Sequence, residues 1–141
     1  MSGRVAAVTA YTDAGRLVVF AGSASGGVWK SVNGGSTFRP VFDDQPVQSI
    51  GAVTVDPTNP KTVWVGTGET WTRNSVSIGD GIYKSTDGGD NWTNMGLKDS
   101  ERIAKIIVNP KDGNSVLACV TGHAYDDSNE PEVELEIADV E

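Results

Sequence analysis

The chain has 141 residues, 38 % of them apolar, with 17 glycines; this suits one domain with a core and excludes a disordered polymer or a helical bundle. Its formal charge of −8 comes entirely from residues 125–141, which hold eight acids and no base, while residues 1–124 carry 11 of each sign. The body therefore lacks the basic patch of a nucleic-acid binder, and no stretch approaches the roughly 18 apolar residues of a membrane span.

Valine, threonine and glycine recur in short bursts, which predicts strands joined by tight turns. In chain order the strands are Val5–Thr9, Leu17–Ala21, Gly27–Lys30 and Phe38–Val41, then Ala52–Val55, Val63–Gly66, Gly81–Lys84 and Trp92–Met95. Ile103–Val108 and Val116–Val120 open a third set. Asp56-Pro57-Thr58-Asn59-Pro60 and Asn109-Pro110-Lys111-Asp112-Gly113 supply the breaks within the later sets.

These sets are copies of one unit. Gly27-Val28-Trp29-Lys30-Ser31 returns 54 residues later as Gly81-Ile82-Tyr83-Lys84-Ser85, Asn33-Gly34-Gly35 as Asp87-Gly88-Gly89, and Phe38 as Trp92. Upstream, Arg4-Val5-Ala6-Ala7-Val8 matches Ser49-Ile50-Gly51-Ala52-Val53 and then Arg102-Ile103-Ala104-Lys105-Ile106. The second copy is longer mainly because residues are inserted around Thr70–Gly79. A unit of about 45 residues with four antiparallel strands is the signature of a β-propeller blade. The expected fold is all-β, with blade 1 at residues 1–46, blade 2 at 47–99 and the first two strands of blade 3 at 100–124. Residues 125–141 are an acidic tail or an extra edge strand, in which Val133, Leu135 and Ile137 alternate with acids. The ring is incomplete, at about two and a half blades.

Ser85-Thr86-Asp87-Gly88-Gly89-Asp90-Asn91-Trp92 fits the pattern Ser-x-Asp-x-Gly-x-x-Trp. The carboxylate is expected to accept backbone N–H groups of its own turn, Gly89 to supply a left-handed backbone, and the indole to bury against the sheet. Ser31, Asn33, Gly35 and Phe38 form a weakened copy, with an acceptor but no charge at Asn33 and a ring without N–H at Phe38. With these motifs the chain resembles the Asp-box (bacterial neuraminidase repeat) β-propellers. Within them it is most similar to bacterial sortilin-like and glycosyl-hydrolase-like proteins, through Gly26–Ser31, Phe42–Gly51, Val65–Glu69 and Ser100–Ala104. The resemblance implies a secreted or cell-envelope setting, although no leader-like apolar run follows Met1. It implies fold more than activity, since such blades serve enzymes and binding proteins alike.

In propellers of this kind the Asp-box turns share one face and the blade-crossing loops the other. The second face is expected to gather Asp43, Asp44, Gln45 and Gln48 from the first crossing and Glu101 and Arg102 from the second. Glu69, Trp71, Arg73 and Asn74 come from the insertion, and His123 and Tyr125 from the third unit. Acids, arginines and an exposed aromatic are what a carbohydrate or peptide site uses. Asp43, Asp44 and Glu69 are the weak catalytic candidates for a glycoside hydrolase, which needs two carboxylates flanking the scissile bond. Trp71 is the favoured ligand platform.

Against catalysis, adjacent loop acids commonly cap turns or face water. Only Arg73 and Arg102 are placed for a sialidase-like site, which needs three arginines. Ser23-Ala24-Ser25-Gly26-Gly27 lacks the aspartate that precedes a Gly-Gly pair in the xyloglucan-cleaving relatives. His123 is the single histidine and Cys119 the single cysteine, which leaves no Ser-His-Asp set, no multi-histidine metal site and no internal disulfide. No cofactor and no metal are expected. The reading favours a binding or assembly module, with a glycoside hydrolase or a sortilin-like peptide-binding domain as alternatives. Blades bury their faces only against neighbours, so self-association or pairing with other propeller repeats is expected.

Overall fold

A computed structural model describes residues 4–68, 79–97, 102–121 and 133–139. Among these there is no helix, and the all-β, open propeller architecture expected from the repeat is the one observed. The first sheet is β1 (Val5–Asp13), β2 (Arg16–Ser23), β3 (Gly27–Ser31) and β4 (Arg39–Pro40); the second is β5 (Ile50–Val55), β6 (Val63–Thr67), β7 (Ile82–Ser85) and β8 (Thr93–Gly96). Each is a simple antiparallel meander. In the third sheet β9 (Arg102–Asn109) pairs with β10 (Asp112–Thr121), and β10 pairs on its other side with β11 (Val133–Asp139).

Local chemistry explains the turns. Ala14 (φ 50°) and Gly15 (φ 80°) form a two-residue hairpin loop between β1 and β2, whose left-handed pair matches the strand twist. Between β5 and β6 the carboxylate of Asp56, only 3 % exposed, accepts the N–H and the hydroxyl of Thr58, both at 2.8 Å. The fourth strand of the first sheet, Arg39–Pro40, is shorter than the expected Phe38–Val41, and Pro40 adds no N–H to its ladder. One further bond, Val41 N–H to the Val28 carbonyl at 2.9 Å, ends the pairing.

The core lies between sheets. Phe20, Val28 and Phe42 of the first unit meet Ile50, Val53, Val63, Val65 and Tyr83 of the second. Trp64 and Ile82 of the second meet Ile103, Ile106, Val116, Ala118 and Val120 of the third. β1, β5 and β9 stand side by side as the innermost strands and line a hollow of about 280 Å³, as the central strands of a propeller do.

Glycines set the spacing between these strands. Gly51 of β5 runs against β9: a Cβ there would collide with the Ile103 carbonyl and lie 2.5 Å from the Gly68 carbonyl. Gly51→Ala must therefore separate two backbones and is expected to cost about 3 kcal/mol. Gly15→Ala meets nothing within 4 Å and should cost only the left-handed penalty of about 1–2 kcal/mol. Urea midpoints of the two variants check the ordering, and equal losses would contradict the close approach.

Candidate functional site

Antiparallel pairing sorts the loops onto two faces. The β1–β2 and β3–β4 turns lie together, as the bond from Gly34 N–H to the Leu17 carbonyl (3.0 Å) shows. In the second sheet Gly88 N–H likewise reaches the Lys61 carbonyl of the β5–β6 loop at 2.9 Å. The β2–β3 turn and the crossing from β4 to β5 occupy the opposite end, joined by Gly27 N–H to the Gln48 carbonyl at 2.8 Å.

On the first face the Ser-x-Asp turn is closed by its own side chains. Asp87 accepts the backbone N–H of Asn91 (2.9 Å), the Asn91 side-chain amide (2.8 Å) and the Ser85 hydroxyl (2.7 Å), while Ser85 Oγ accepts Gly89 N–H at 2.8 Å. These donors, the Asn91 side chain first, hold the Asp87 carboxyl down at about 2 from the ordinary 3.8. Asn33 makes the same arrangement without charge, accepting Thr37 N–H at 2.9 Å and the Ser31 hydroxyl at 2.8 Å.

The second turn is also seated on the first sheet. Lys30 donates to the Gly88 carbonyl at 2.8 Å, Trp92 Nε1 donates to the Val41 carbonyl at 2.8 Å, and Arg39 meets Asp90 at 3.4 Å. Burial lowers the Lys30 pKa. The Phe42 ring lies edge-on to both Trp92 and Tyr83, at centroid distances of 5.3 and 5.1 Å. The Trp92 indole is thus an inter-sheet clamp, whereas Phe38 has no N–H to clamp with. This face is committed to structure.

The opposite face keeps exposed polar groups. Asp43 and Asp44 are exposed, and Asp43 Oδ1 lies 3.9 Å from where a Cβ on Gly27 would be. Gln48, expected on the ligand face, is instead a pin: its amide donates to the Phe42 and Gln45 carbonyls at 2.9 and 2.8 Å. That bracing holds the segment carrying the two aspartates. Arg102, also expected there, is only 6 % exposed at the head of β9, where its backbone pairs with Thr121; it is packed rather than presented to solvent. Glu69, Trp71, Arg73, Asn74, Glu101, His123 and Tyr125 lie outside the described residues.

A polar cluster around Asp80, which the sequence offers only as an unfavoured metal ligand, lies where the insertion returns to the sheet. Tyr83 Oη donates to Asp80 Oδ2 at 2.9 Å, Thr67 Oγ1 accepts the N–H of Asp80 at 2.9 Å, and Asn94 Nδ2 donates to the Asp80 carbonyl at 3.1 Å. Burial, with a contribution from Asp80, raises the Tyr83 pKa. The available signal was Gly79-Asp80-Gly81, an acid between glycines at the mouth of β7.

No family model matches the chain, and no curated protein matches it. Solved structures do. A GH74 enzyme from Niastella koreensis superposes at TM-score 0.60 and 24 % identity, over 85 % of this chain and 18 % of that one. An ancestral GH74 enzyme gives 0.63 and 21 % over 96 % and 19 %. The GH74 xyloglucanase from Xanthomonas campestris gives 0.61 and 18 % over 96 % and 22 %. The chain thus spans about a fifth of the length of these glycoside hydrolases, and the likeness is one of fold.

The pair of turns predicts an acid-dependent difference. The Asp87 carboxylate contributes stability that is complete above about pH 4 and is lost as pH falls toward 2, because its folded pKa lies below its ordinary one. Asp87→Asn, a copy of the Asn33 turn, should stay folded at pH 7 with a loss of about 1 kcal/mol. Its deficit relative to the parent chain should shrink between pH 4 and pH 2. A deficit unchanged across that range, followed by urea denaturation, would contradict the ionised acceptor.

Proposed function

We propose that this chain is a polysaccharide-binding segment built on glycoside-hydrolase-type propeller blades, with Asp-box turns at Ser31–Phe38 and Ser85–Trp92. Its ligand surface is the blade-crossing face. The observation that carries the reading is the division of labour between the two ends of the sheets. The Asp87 and Asn33 turns spend their polar groups on their own backbone, while Asp43 and Asp44 stand exposed on a segment braced by Gln48. Exposed carboxylates on a rigid edge accept sugar hydroxyls as hydrogen-bond donors. The fold shared with the GH74 structures supports a glycan as the ligand class.

Hydrolysis requires a second carboxylate about 5–10 Å from the first, across the scissile bond. Among the described residues Asp80 is tied to Thr67 and Tyr83, and Asp43 and Asp44 are neighbours on one loop. Binding without turnover by the isolated chain is therefore the favoured outcome, with Glu69 as the catalytic candidate if turnover is found. A secreted or cell-envelope setting follows from the same reading.

Binding to xyloglucan and other β-glucans, to sialosides and to a peptide array should show saturable affinity for a β-glucan, no release of reducing ends, and at least about tenfold weakening in Trp71→Ala, an aromatic stacking loss. Peptide binding without glycan binding would favour the sortilin-like alternative. Reducing-end release abolished by Glu69→Gln or Asp44→Asn would establish the enzyme instead.

A further inference from the structure

One pair of contacts closes the mouth of the β2–β3 turn in the first sheet, and the same pair recurs in the second. Ser23 Oγ accepts Gly26 N–H at 3.1 Å, and Trp29 Nε1 donates to the Gly26 carbonyl at 2.9 Å. Strand register places Thr67 where Ser23 stands and Tyr83 where Trp29 stands, since Gly22 pairs with Val28 as Gly66 pairs with Ile82. There Thr67 Oγ1 accepts Asp80 N–H at 2.9 Å and Gly81 N–H at 3.1 Å, and Tyr83 Oη donates to Asp80 Oδ2 at 2.9 Å. Gly26 follows Ser23 by three residues, whereas Asp80 follows Thr67 by thirteen. A longer loop costs more entropy to close, and the second mouth uses a carboxylate, a stronger acceptor than a neutral carbonyl.

The Tyr83 ring has a second contact. It meets Phe42 edge-on at a centroid distance of 5.1 Å, and Phe42 immediately precedes the exposed Asp43 and Asp44. Phe42 and Tyr83 are both buried in the core between the first two sheets, where close packing leaves neither ring free to shift alone. Gln48 ties the same segment through the Phe42 and Gln45 carbonyls. Both loops belong to one end of the sheets, as the bond from Gly68 N–H to the Ser49 carbonyl at 2.7 Å shows. One side chain therefore stands between them: its ring backs the first crossing, and its hydroxyl holds the residue at which the β6–β7 connection returns.

We infer that Tyr83 is the positioning residue of the blade-crossing face: it holds the Asp43–Asp44 segment and the Asp80 return at a fixed separation, on which ligand binding across that face depends. Tyr83 itself does not meet the ligand, because it is buried and its hydroxyl is spent on Asp80. The inference takes its ligand from the polysaccharide reading and its geometry from the contacts alone. Removing the hydroxyl leaves the ring on Phe42, so the core stays packed while Asp80 loses its hold. Asparagine in place of Asp80 keeps an acceptor oxygen for that hydroxyl and alanine does not. The two substitutions thus separate a carboxylate that is held from one that bonds the sugar.

The experiment combines calorimetric titration with xyloglucan and amide hydrogen exchange by NMR, both on the 141-residue chain. In Tyr83→Phe the Asp80 and Gly81 amides should exchange about tenfold faster, a local opening, while the Val65 amide within β6 keeps its rate. Xyloglucan affinity should fall about tenfold in Tyr83→Phe and in Asp80→Ala, roughly the loss of one charge-assisted hydrogen bond. Asp80→Asn should bind within about twofold of the parent. Asp87→Asn, destabilised at the opposite end of the sheets, should bind as the parent does. Exchange at Asp80 and Gly81 that is unchanged in Tyr83→Phe, or raised equally at Val65, overturns the inference. So does an affinity loss shared by Asp87→Asn, or an Asp80→Asn variant as weak as Asp80→Ala. A parent chain that binds no β-glucan ends the polysaccharide reading instead, and the exchange rates then decide the positioning by themselves.

Discussion

Close contact between a branched side chain and a bare backbone sets how the sheets of this protein stand against one another. Ile50 over Gly22 and Ile103 over Gly66 bring neighbouring sheets nearer than any Cβ would permit. That approach in turn buries Phe20, Val28, Trp64 and Ile82 completely. Dispersion and hydrophobic gains fall off steeply with a gap of even half an ångström, so the glycines decide whether the two large clusters are dense or leaky. The same contact fixes the innermost strands side by side, and so determines which loops meet at each end of the sheets.

The polar interactions follow that packing and secure it at one end. A turn that satisfies its own N–H groups through Asp87 or Asn33 presents its remaining carbonyls outward. One of these, Gly88 O, takes the Lys30 ammonium from the neighbouring sheet. Trp92 combines both kinds of bond, packing its ring on Phe42 and donating its indole N–H to Val41 O. Trp64 does not: it is fully buried and its indole N–H has no hydrogen-bond partner among the described residues. The apolar fit of that ring, under the Lys84 ammonium at 5.2 Å from its centroid, must offset the cost of an unmet donor, about 1–3 kcal/mol.

The repeat made the strands legible because a period-two pattern bounded by turn residues leaves few alternative pairings. Spacing alone placed the glycines of the Ser-x-Asp turn and the aspartate that closes it. It could not show that Trp92 would bond across to another sheet, since that partner lies 51 residues away. Nor could it show that β4 would shorten to Arg39–Pro40. On the opposite end, residue type was a poor guide. Gln48 and Arg102 were grouped with Asp43 and Asp44 because all four are polar and share the crossings. Yet Gln48 is used by backbone carbonyls and Arg102 is buried at a strand head. Loops carry no periodicity from which exposure can be read, so a polar residue there has an equal claim to bracing and to binding.

That ambiguity is itself informative about where function resides. At the turn end, each polar side chain of the Ser85–Asn91 segment that makes a bond makes it to its own turn or to the adjacent sheet, so exchanging residues there disturbs packing. At the crossing end, Gln48 braces the segment between β4 and β5, and Asp43 and Asp44 on that segment can change without loss of a structural bond among the described residues. A scaffold divided in this way allows chemistry to vary at one end while the sheets remain stacked. The GH74 structures share its fold at 18–24 % identity, a level at which loops diverge freely and only the packing pattern must persist. The close glycine contacts and the self-closed turns thus hold the crossing loops in place whatever residues those loops carry.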